Sequence, residues 1–109
     1  MALAASEAKA EEVVILDLRK VSFSFDFFVL LSGSSDRRVQ TIAEHIEENL
    51  TAKGVRPWHE EGRRQGGWVL LDYGNVVGHV FDPQVREFYG LERLWADAPR
   101  VAFHKKRRS

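Results

Sequence analysis

A glycine-serine turn is the first place in this sequence where chemistry could occur. Gly33-Ser34-Ser35 follows the apolar run Phe27–Leu31 and precedes a helical pattern. Such a turn can hold a phosphate at the N-terminus of a helix, can form the Gly-Ser motif of a nucleotidyltransferase, or can cap a helix through a serine. Each alternative requires different residues elsewhere in the chain, and those residues can be looked for.

Nucleotidyl transfer needs two or three carboxylates to hold magnesium ions, commonly Asp-x-Asp on the next strand. The strand-like run Trp68–Tyr73 contains one carboxylate, Asp72, and Glu60-Glu61 lies in a polar connection where adjacent side chains need not converge. The phosphate-binding motif Gly-x-x-x-x-Gly-Lys-Ser/Thr is absent. The sequence therefore predicts an ordinary helix cap at the turn.

Other catalytic and metal-binding patterns are also missing. The sequence has no HExxH, no HxH and no Gly-x-Ser-x-Gly, and its four histidines, at positions 45, 59, 79 and 104, lack the spacing of metal ligands. It contains no cysteine, which excludes disulfides and thiolate ligands and fits a reducing compartment. We therefore predict a protein that is not an enzyme and that has no cofactor.

The charge is unevenly distributed along a chain whose net charge is zero. Lys105–Arg108 carries four positive charges, and without it 12 basic residues stand against 16 acidic ones. Such an acidic body is poorly suited to broad binding of nucleic acid. The basic tail is either a contact to RNA or a solvated terminus, and both interpretations stay open.

The length of 109 residues fits one domain. No apolar run approaches the roughly 20 residues that a membrane helix needs, so no membrane partner is predicted. The first twelve residues, MALAASEAKAEE, lack the basic and apolar regions of a signal peptide.

Hydrophobic periodicity predicts the elements that position these residues. Val39, Ile42, Ala43, Ile46 and Leu50 follow helical spacing, and Gly54 is a C-terminal stop signal. The first half of the chain is therefore predicted as a short helix within Ala2–Glu12, a strand at Val13–Leu18, a strand at Phe27–Leu31 that is covered on both faces, and a helix at Ser35–Lys53.

The second half is predicted to contain a hairpin and a helix. Val55–Gly67 is a long polar connection with a short strand near Trp58 and His59. Asp82-Pro83 begins the last helix, and Gly90 predicts a bend or an early end. The hairpin consists of Trp68–Tyr73, the turn Gly74-Asn75 and Val76–Phe81. The element order β-β-α-loop-β-β-α predicts an α/β fold, a small mixed sheet with helices packed on it.

The two faces of the first hairpin strand carry different side chains. Trp68, Leu70 and Asp72 share one face, whereas Val69 and Leu71 share the other. Because both faces are apolar in the middle, Trp68 is either an exposed anchor for a partner or part of the core. The residues alone leave both interpretations open.

Three stretches together resemble one known family. They are Gly33-Ser-Ser-Asp-Arg-Arg-Val39, Trp68-Val-Leu-Leu-Asp-Tyr-Gly74, and the segment from His79 through Trp95 to Pro99. In this combination they resemble the ribosomal silencing factor family RsfS, also called the Iojap family, and the likeness runs from about Glu11 to Pro99.

The resemblance implies a fold and a function. The fold would be nucleotidyltransferase-like but without the catalytic carboxylates, with one domain at residues 1–100 and a basic tail at 101–109. The protein would bind the large ribosomal subunit through ribosomal protein L-fourteen, block joining of the small subunit and lower translation when nutrients are scarce. The free protein would be a homodimer in the bacterial cytoplasm, or in an organelle.

The resemblance also implies which residues make the contact. We expect Trp68, Leu70 and Asp72 to contact the ribosomal protein. His79, Arg86 and Tyr89 are expected beside or behind them. The remaining apolar residues of the last helix, Phe88, Leu91 and Trp95, are expected in the core. The alternative function is a divergent, nucleotidyltransferase-like protein that binds nucleotides through the Gly33-Ser34 turn.

Overall fold

The computed structural model describes residues 1, 9–22, 25–62 and 67–101. In this part of the chain the strands are β1 (Glu11–Asp17), β2 (Phe27–Ser32), β3 (His59–Glu61), β4 (Trp68–Asp72), β5 (Val76–Phe81) and β6 (Arg100–Val101). The helices are α1 (Asp36–Ala52), α2 (Pro83–Tyr89) and α3 (Leu91–Leu94).

The strands form one mixed sheet in the order β3-β4-β5-β2-β1-β6. The central pair, β2 and β5, is parallel, and the other pairs are antiparallel. Parallel neighbours need a long crossover connection, and here the chain from α1 through β3 and β4 supplies it. The predicted mixed α/β sheet is confirmed.

Helices cover both faces of the central strands. Val39, Ile42, Ala43 and Ile46 of α1 pack on one face of the sheet. On the other face, a second apolar cluster includes Phe28, Leu30 and Phe81 and is covered by side chains of α2, α3 and the segment that follows. The prediction that Phe27–Leu31 is covered on both faces is therefore confirmed, since Phe28–Leu31 is buried throughout.

The predicted hairpin and its turn are also confirmed. β4 and β5 pair from Trp68 with Phe81 to Asp72 with Val77. At the turn, the Asp72 Oδ1 accepts the N–H of Gly74 at 2.8 Å, and Gly74 adopts a φ of 89°. Only glycine adopts such a φ at little cost, which explains the Gly-Asn sequence there.

The N-terminal prediction is wrong where the structure tests it. Residues 2–8 of the predicted helix lie outside the described residues, but Glu11 and Glu12 belong to β1. Glu11 pairs with Ser32, and the register shifts between Glu11 and Val14. Sheet pairing therefore overrides helix propensity at Glu11 and Glu12.

The last helix ends early, as Gly90 predicts. Gly90 has a φ of 56° and separates α2 from α3. Because of this break, Val85, Phe88, Leu91 and Trp95 do not form one inward stripe. Phe88 is 79% exposed, so its predicted core position is wrong, whereas Leu91 and Trp95 do pack against the core.

The far end of the chain forms a short pairing that the sequence did not predict. β6 pairs antiparallel with β1 through Ile15 and Leu16. Residues 102–109, which include the basic stretch Lys105–Arg108, lie outside the described residues. The division into a domain at 1–100 and a tail at 101–109 stays a prediction.

Candidate interaction surface

The Gly33 turn joins β2 to α1 by close packing and a cap. The Gly33 N–H donates to the Phe81 carbonyl at 3.0 Å, and a Cβ on Gly33 would lie 2.8 Å from the Val39 nitrogen. The Ser35 hydroxyl accepts the Arg38 N–H at 3.1 Å, which confirms the predicted cap. The turn thus satisfies one of the free N–H groups at the N-terminus of α1 with the chain's own hydroxyl. Among the described residues, no group of three or more His, Asp or Glu could hold a metal ion.

The side chains of β4 divide between the two faces of the sheet. Val69 and Leu71 are fully buried on the α1 side. Trp68 and Leu70 are half-buried on the opposite side, at the margin of the second apolar cluster. Trp68 is therefore part of the core on one side and open to solvent on the other. This intermediate position answers the question that the sequence left open.

Helix α2 places two aromatic rings next to this strand. The rings of Trp68 and Tyr89 lie 4.7 Å apart, and those of Tyr89 and Phe88 lie 5.0 Å apart, measured between centroids. Tyr89 is 54% exposed. Together with the outward side chains of β4 they form a partly exposed surface, here called the β4–α2 surface, which consists of Trp68, Leu70, Asp72, Phe88 and Tyr89.

A groove runs along this surface between the helix and the sheet edge. Its volume is about 380 Å³, and it is lined by Glu61, Gly62, Gly67, Trp68, Leu70, Val85 and Tyr89. The edge strand β3 supplies its polar border, because Glu61 pairs with Leu70 and His59 pairs with Asp72. The His59 Nε2 and Glu61 Oε1 lie 3.0 Å apart. Apolar rings with a charged border are typical of protein interfaces.

His79 lies behind this surface. It is 4% exposed, and its Nδ1 accepts the indole N–H of Trp68 at 3.2 Å. Its ring lies 4.7 Å from that of Phe28 and is stacked with that of Phe81 at 6.1 Å. Burial lowers the pKa of His79 to about 4, so the imidazole is neutral near pH 7.

Arg86 is buried as well, at 7% exposure, and connects several elements. Its Nε donates to Glu92 Oε1 at 2.8 Å. Its Nη1 donates to the Glu12 carbonyl and to the Ser32 hydroxyl, each at 2.8 Å. Hydrogen bonding to Arg86 lowers the pKa of Glu92. Arg86 thus joins α2 to β1, β2 and α3.

Four of the six predicted contact residues come together at the surface, and two lie behind it. Trp68, Leu70, Asp72 and Tyr89 belong to the β4–α2 surface, whereas His79 and Arg86 are buried. Phe88 was missed as a surface residue, and the bend or early end predicted at Gly90 was the signal that could have found it. The border residues His59 and Glu61 were missed because they belong to a three-residue strand.

A further exposed aromatic residue lies at the turn end of the hairpin. Trp58 is 82% exposed, and its backbone N–H donates to the Asp72 carbonyl at 2.7 Å. Its ring lies over Gly74, where a Cβ would come within 3.1 Å of the indole.

Within the described ranges, no helix has the length and apolar character needed to cross a membrane.

Comparison with known proteins identifies the family. A family model described as "Ribosomal silencing factor during starvation" matches residues 1–109. Ribosomal silencing factor RsfS of Halalkalibacterium halodurans is 42% identical over 98 residues, which cover 90% of this chain and 84% of that protein. RsfS of Bacillus subtilis is 40% identical and covers 90% and 83%. A crystal structure from Chromobacterium violaceum superposes with a TM-score of 0.83 at 33% identity, covering 94% of this chain and 85% of the other. The chain belongs to the ribosomal silencing factor family, RsfS.

Proposed function

We propose that this protein binds the large ribosomal subunit through ribosomal protein L-fourteen and uses the β4–α2 surface to do so. The bound protein blocks joining of the small subunit and so lowers translation when nutrients are scarce. The observation that carries the proposal is the run of adjacent aromatic rings formed by the half-buried Trp68 and the exposed Tyr89 and Phe88. The family match supports a role in the regulation of translation; a bacterial cytoplasmic setting, with an organelle as the alternative, is part of the proposal.

The surface has the chemistry of a protein-binding site. Rigid aromatic side chains bury a large area with little loss of side-chain entropy, and they dominate the affinity of many interfaces. The border formed by His59, Glu61 and Asp72 adds polar groups that favour one orientation of the partner. One carboxylate oxygen of Asp72 is occupied by the Gly74 N–H, which fixes that side chain before a partner arrives.

Steric exclusion is sufficient for silencing. The Cα positions extend over 34 × 31 × 30 Å, so a bound copy holds an incoming subunit far from its binding face. No bond is made or broken in this mechanism, and its efficiency depends only on affinity and on occupancy of the face.

Sedimentation of ribosomal subunits through a sucrose gradient tests the proposal. The wild-type protein is expected to travel with large subunits and to shrink the peak of joined ribosomes. Trp68→Ala and Tyr89→Ala should each weaken binding by at least about tenfold, the usual effect of removing a central aromatic residue. Glu44→Ala, on the solvent side of α1 across the sheet, is the control and should bind normally. If Trp68→Ala and Tyr89→Ala bind as well as wild type, the assigned surface is wrong.

The proposal includes a homodimer for the free protein. The exposed rings of Phe88 and Tyr89 favour association with a second apolar surface in the absence of the ribosome. Analytical ultracentrifugation of the wild type and of Phe88→Ala measures this directly. If the wild type is a monomer at all concentrations, the proposed dimer is wrong. The proposal that the protein binds the ribosome would not be affected.

The proposal also includes a contact between ribosomal RNA and the basic tail Lys105–Arg108. The sequence supports this part, because four consecutive cations neutralise phosphates efficiently. Removal of residues 102–109 should reduce affinity for large subunits at low salt and should flatten its salt dependence. An unchanged salt dependence would argue against the RNA contact.

A further inference from the structure

We propose that His79 is a positioning residue that holds the Trp68 indole in its binding orientation on the β4–α2 surface. This inference rests on the proposed function for its effect on binding, but its geometric part concerns the free protein alone. His79 would touch no partner, and its influence on the ribosome would pass through Trp68.

The pairing of β4 and β5 places the two side chains together. Trp68 is opposite Phe81 and Leu70 is opposite His79, so Trp68 and His79 are diagonal neighbours on one face. An indole N–H can only donate, and its 3.2 Å distance to the His79 Nδ1 makes that nitrogen the acceptor. The neutral ring therefore carries its proton on Nε2.

The second ring nitrogen of His79, Nε2, indicates that this residue does more than fill space in the core. The Nε2 is buried and has no hydrogen-bond partner among the described residues. A buried, unpartnered donor destabilises a fold, and an apolar residue of similar volume would avoid this cost. The gain that offsets it is the bond from Trp68, the single hydrogen bond found for the His79 side chain in the described chain.

The neighbours of the imidazole keep its acceptor in place. Phe28 and Phe81 pack against the ring, and burial keeps it uncharged so that Nδ1 stays free to accept. Trp68 is then bounded by His79 on the core side and by the Tyr89 ring at 4.7 Å. Without the acceptor, a half-buried indole would satisfy its N–H with water and turn outward.

Two substitutions separate positioning from packing. His79→Asn keeps an acceptor oxygen close to the place of Nδ1, whereas His79→Leu keeps similar volume and removes the acceptor. His45→Leu is the matched control, because His45 lies on α1 across the sheet and its Nε2 is likewise buried without a partner in the described residues. All variants are made in the full chain.

The first measurement is the indole N–H resonance of Trp68 in the free protein, by ¹H–¹⁵N NMR. We expect it to shift and to exchange faster with water in His79→Leu, and to stay close to wild type in His79→Asn and His45→Leu. The second measurement is affinity for purified large subunits. It should fall about tenfold in His79→Leu, which corresponds to one net hydrogen bond, and should recover in His79→Asn.

Each outcome distinguishes this inference from the proposed function. An unchanged indole resonance in His79→Leu would overturn the positioning role. If Trp68→Ala weakens binding, a shifted resonance in His79→Leu with unchanged subunit affinity would also overturn it, because the indole would then bind without the His79 hydrogen bond. If Trp68→Ala itself binds normally, the assigned surface fails, even where the resonance shows that the hydrogen bond exists.

Discussion

Half-buried side chains set the properties of the β4–α2 surface at the scale of single residues. Trp68 combines one face packed on the core with one face open to solvent. A ring held in this way loses little conformational freedom when a partner covers it, which favours tight binding. Phe88 differs, because it is almost fully exposed and contacts Tyr89 edge-on.

Phe88→Ala is expected to leave the fold intact and to weaken binding to large subunits about threefold to tenfold. The side chain contributes little to the core, so its loss should change the free energy of unfolding by no more than about 0.5 kcal/mol. Thermal unfolding and subunit binding together check the prediction. Unaltered binding would restrict the surface to Trp68, Leu70, Asp72 and Tyr89.

The buried His79 is expected to make stability depend on pH. Its folded pKa of about 4 lies below the ordinary value of 6.5. Between these values the unfolded chain binds a proton that the folded chain does not, so the free energy of unfolding falls as the pH falls. Above about pH 7 the effect vanishes, and by pH 5 it reaches about 2 kcal/mol.

Urea unfolding at pH 8 and pH 5 measures this effect. The wild type should lose about 2 kcal/mol more than His79→Leu over that interval. Carboxylates with lowered pKa values, such as Glu92, contribute equally to both proteins and cancel in the comparison. Equal losses in the two proteins would show that His79 titrates normally in the folded state.

At the scale of elements, Arg86 holds the α2 helix against the sheet. Substitution Arg86→Leu leaves the Ser32 hydroxyl, the Glu12 carbonyl and Glu92 without their donor. We expect a loss of about 3 kcal/mol in the free energy of unfolding. Arg86→Lys should recover little of it, because one ammonium group cannot reproduce the fork of a guanidinium.

Denaturant unfolding of both variants checks this prediction, with Arg93→Leu as the matched control. Arg93 is exposed, and its Nη2 donates a 3.2 Å hydrogen bond to the Glu87 carbonyl of the neighbouring helix α2. Arg93→Leu should therefore lower the free energy of unfolding by less than about 0.5 kcal/mol. Equal effects at the two arginines would contradict the role assigned to Arg86.

The turn between β2 and α1 makes a second prediction at this scale. Ser35→Ala removes the cap and should cost about 1 kcal/mol. Gly33→Ala should cost more, about 1–3 kcal/mol, because its Cβ meets the Val39 backbone at 2.8 Å. Ser34→Ala is the control and should be neutral in stability.

Calorimetry with nucleotide tests the nucleotidyltransferase-like alternative at the same turn. Binding of nucleotide by the wild type that is lost in Ser34→Ala would support that alternative.

At the scale of the whole molecule, stability is expected to decrease from the centre of the sheet to its edges. β2 and β5 are paired on both sides and buried on both faces, whereas β3 and β6 are short and lie at the edges. Hydrogen exchange should therefore be slowest in β2 and β5 and fastest in β3 and β6. Equal protection across the sheet would contradict this order.

Much of the fold followed from local patterns in the sequence, and the remainder depends on contacts between distant segments. The α1 periodicity, the Ser35 and Asp82 caps and the Gly-Asn hairpin are local signals. The parallel pairing of β2 with β5 joins segments about fifty residues apart. The burial of Arg86 depends on Glu12, Ser32 and Glu92, and no periodicity in α2 indicates it.

The interaction surface was predicted in part for the same reason. The alternation in β4 put Trp68, Leu70 and Asp72 on one face, and the family resemblance added Tyr89. Which of the two β4 faces is fully buried depends on where the helices pack on the sheet, and that packing is a non-local property. The contact assignment for Trp68, Leu70, Asp72, His79, Arg86 and Tyr89 stays a prediction until binding is measured.

The placement of the three tryptophans gives the protein a natural optical probe. Trp58 is exposed near the hairpin turn, Trp95 is packed against Phe28, and Trp68 lies on the β4–α2 surface. Replacing Trp58 and Trp95 by phenylalanine would leave a single indole whose fluorescence comes from that surface. Covering it with a partner should move its emission to shorter wavelength, so docking could be followed in real time without an attached dye.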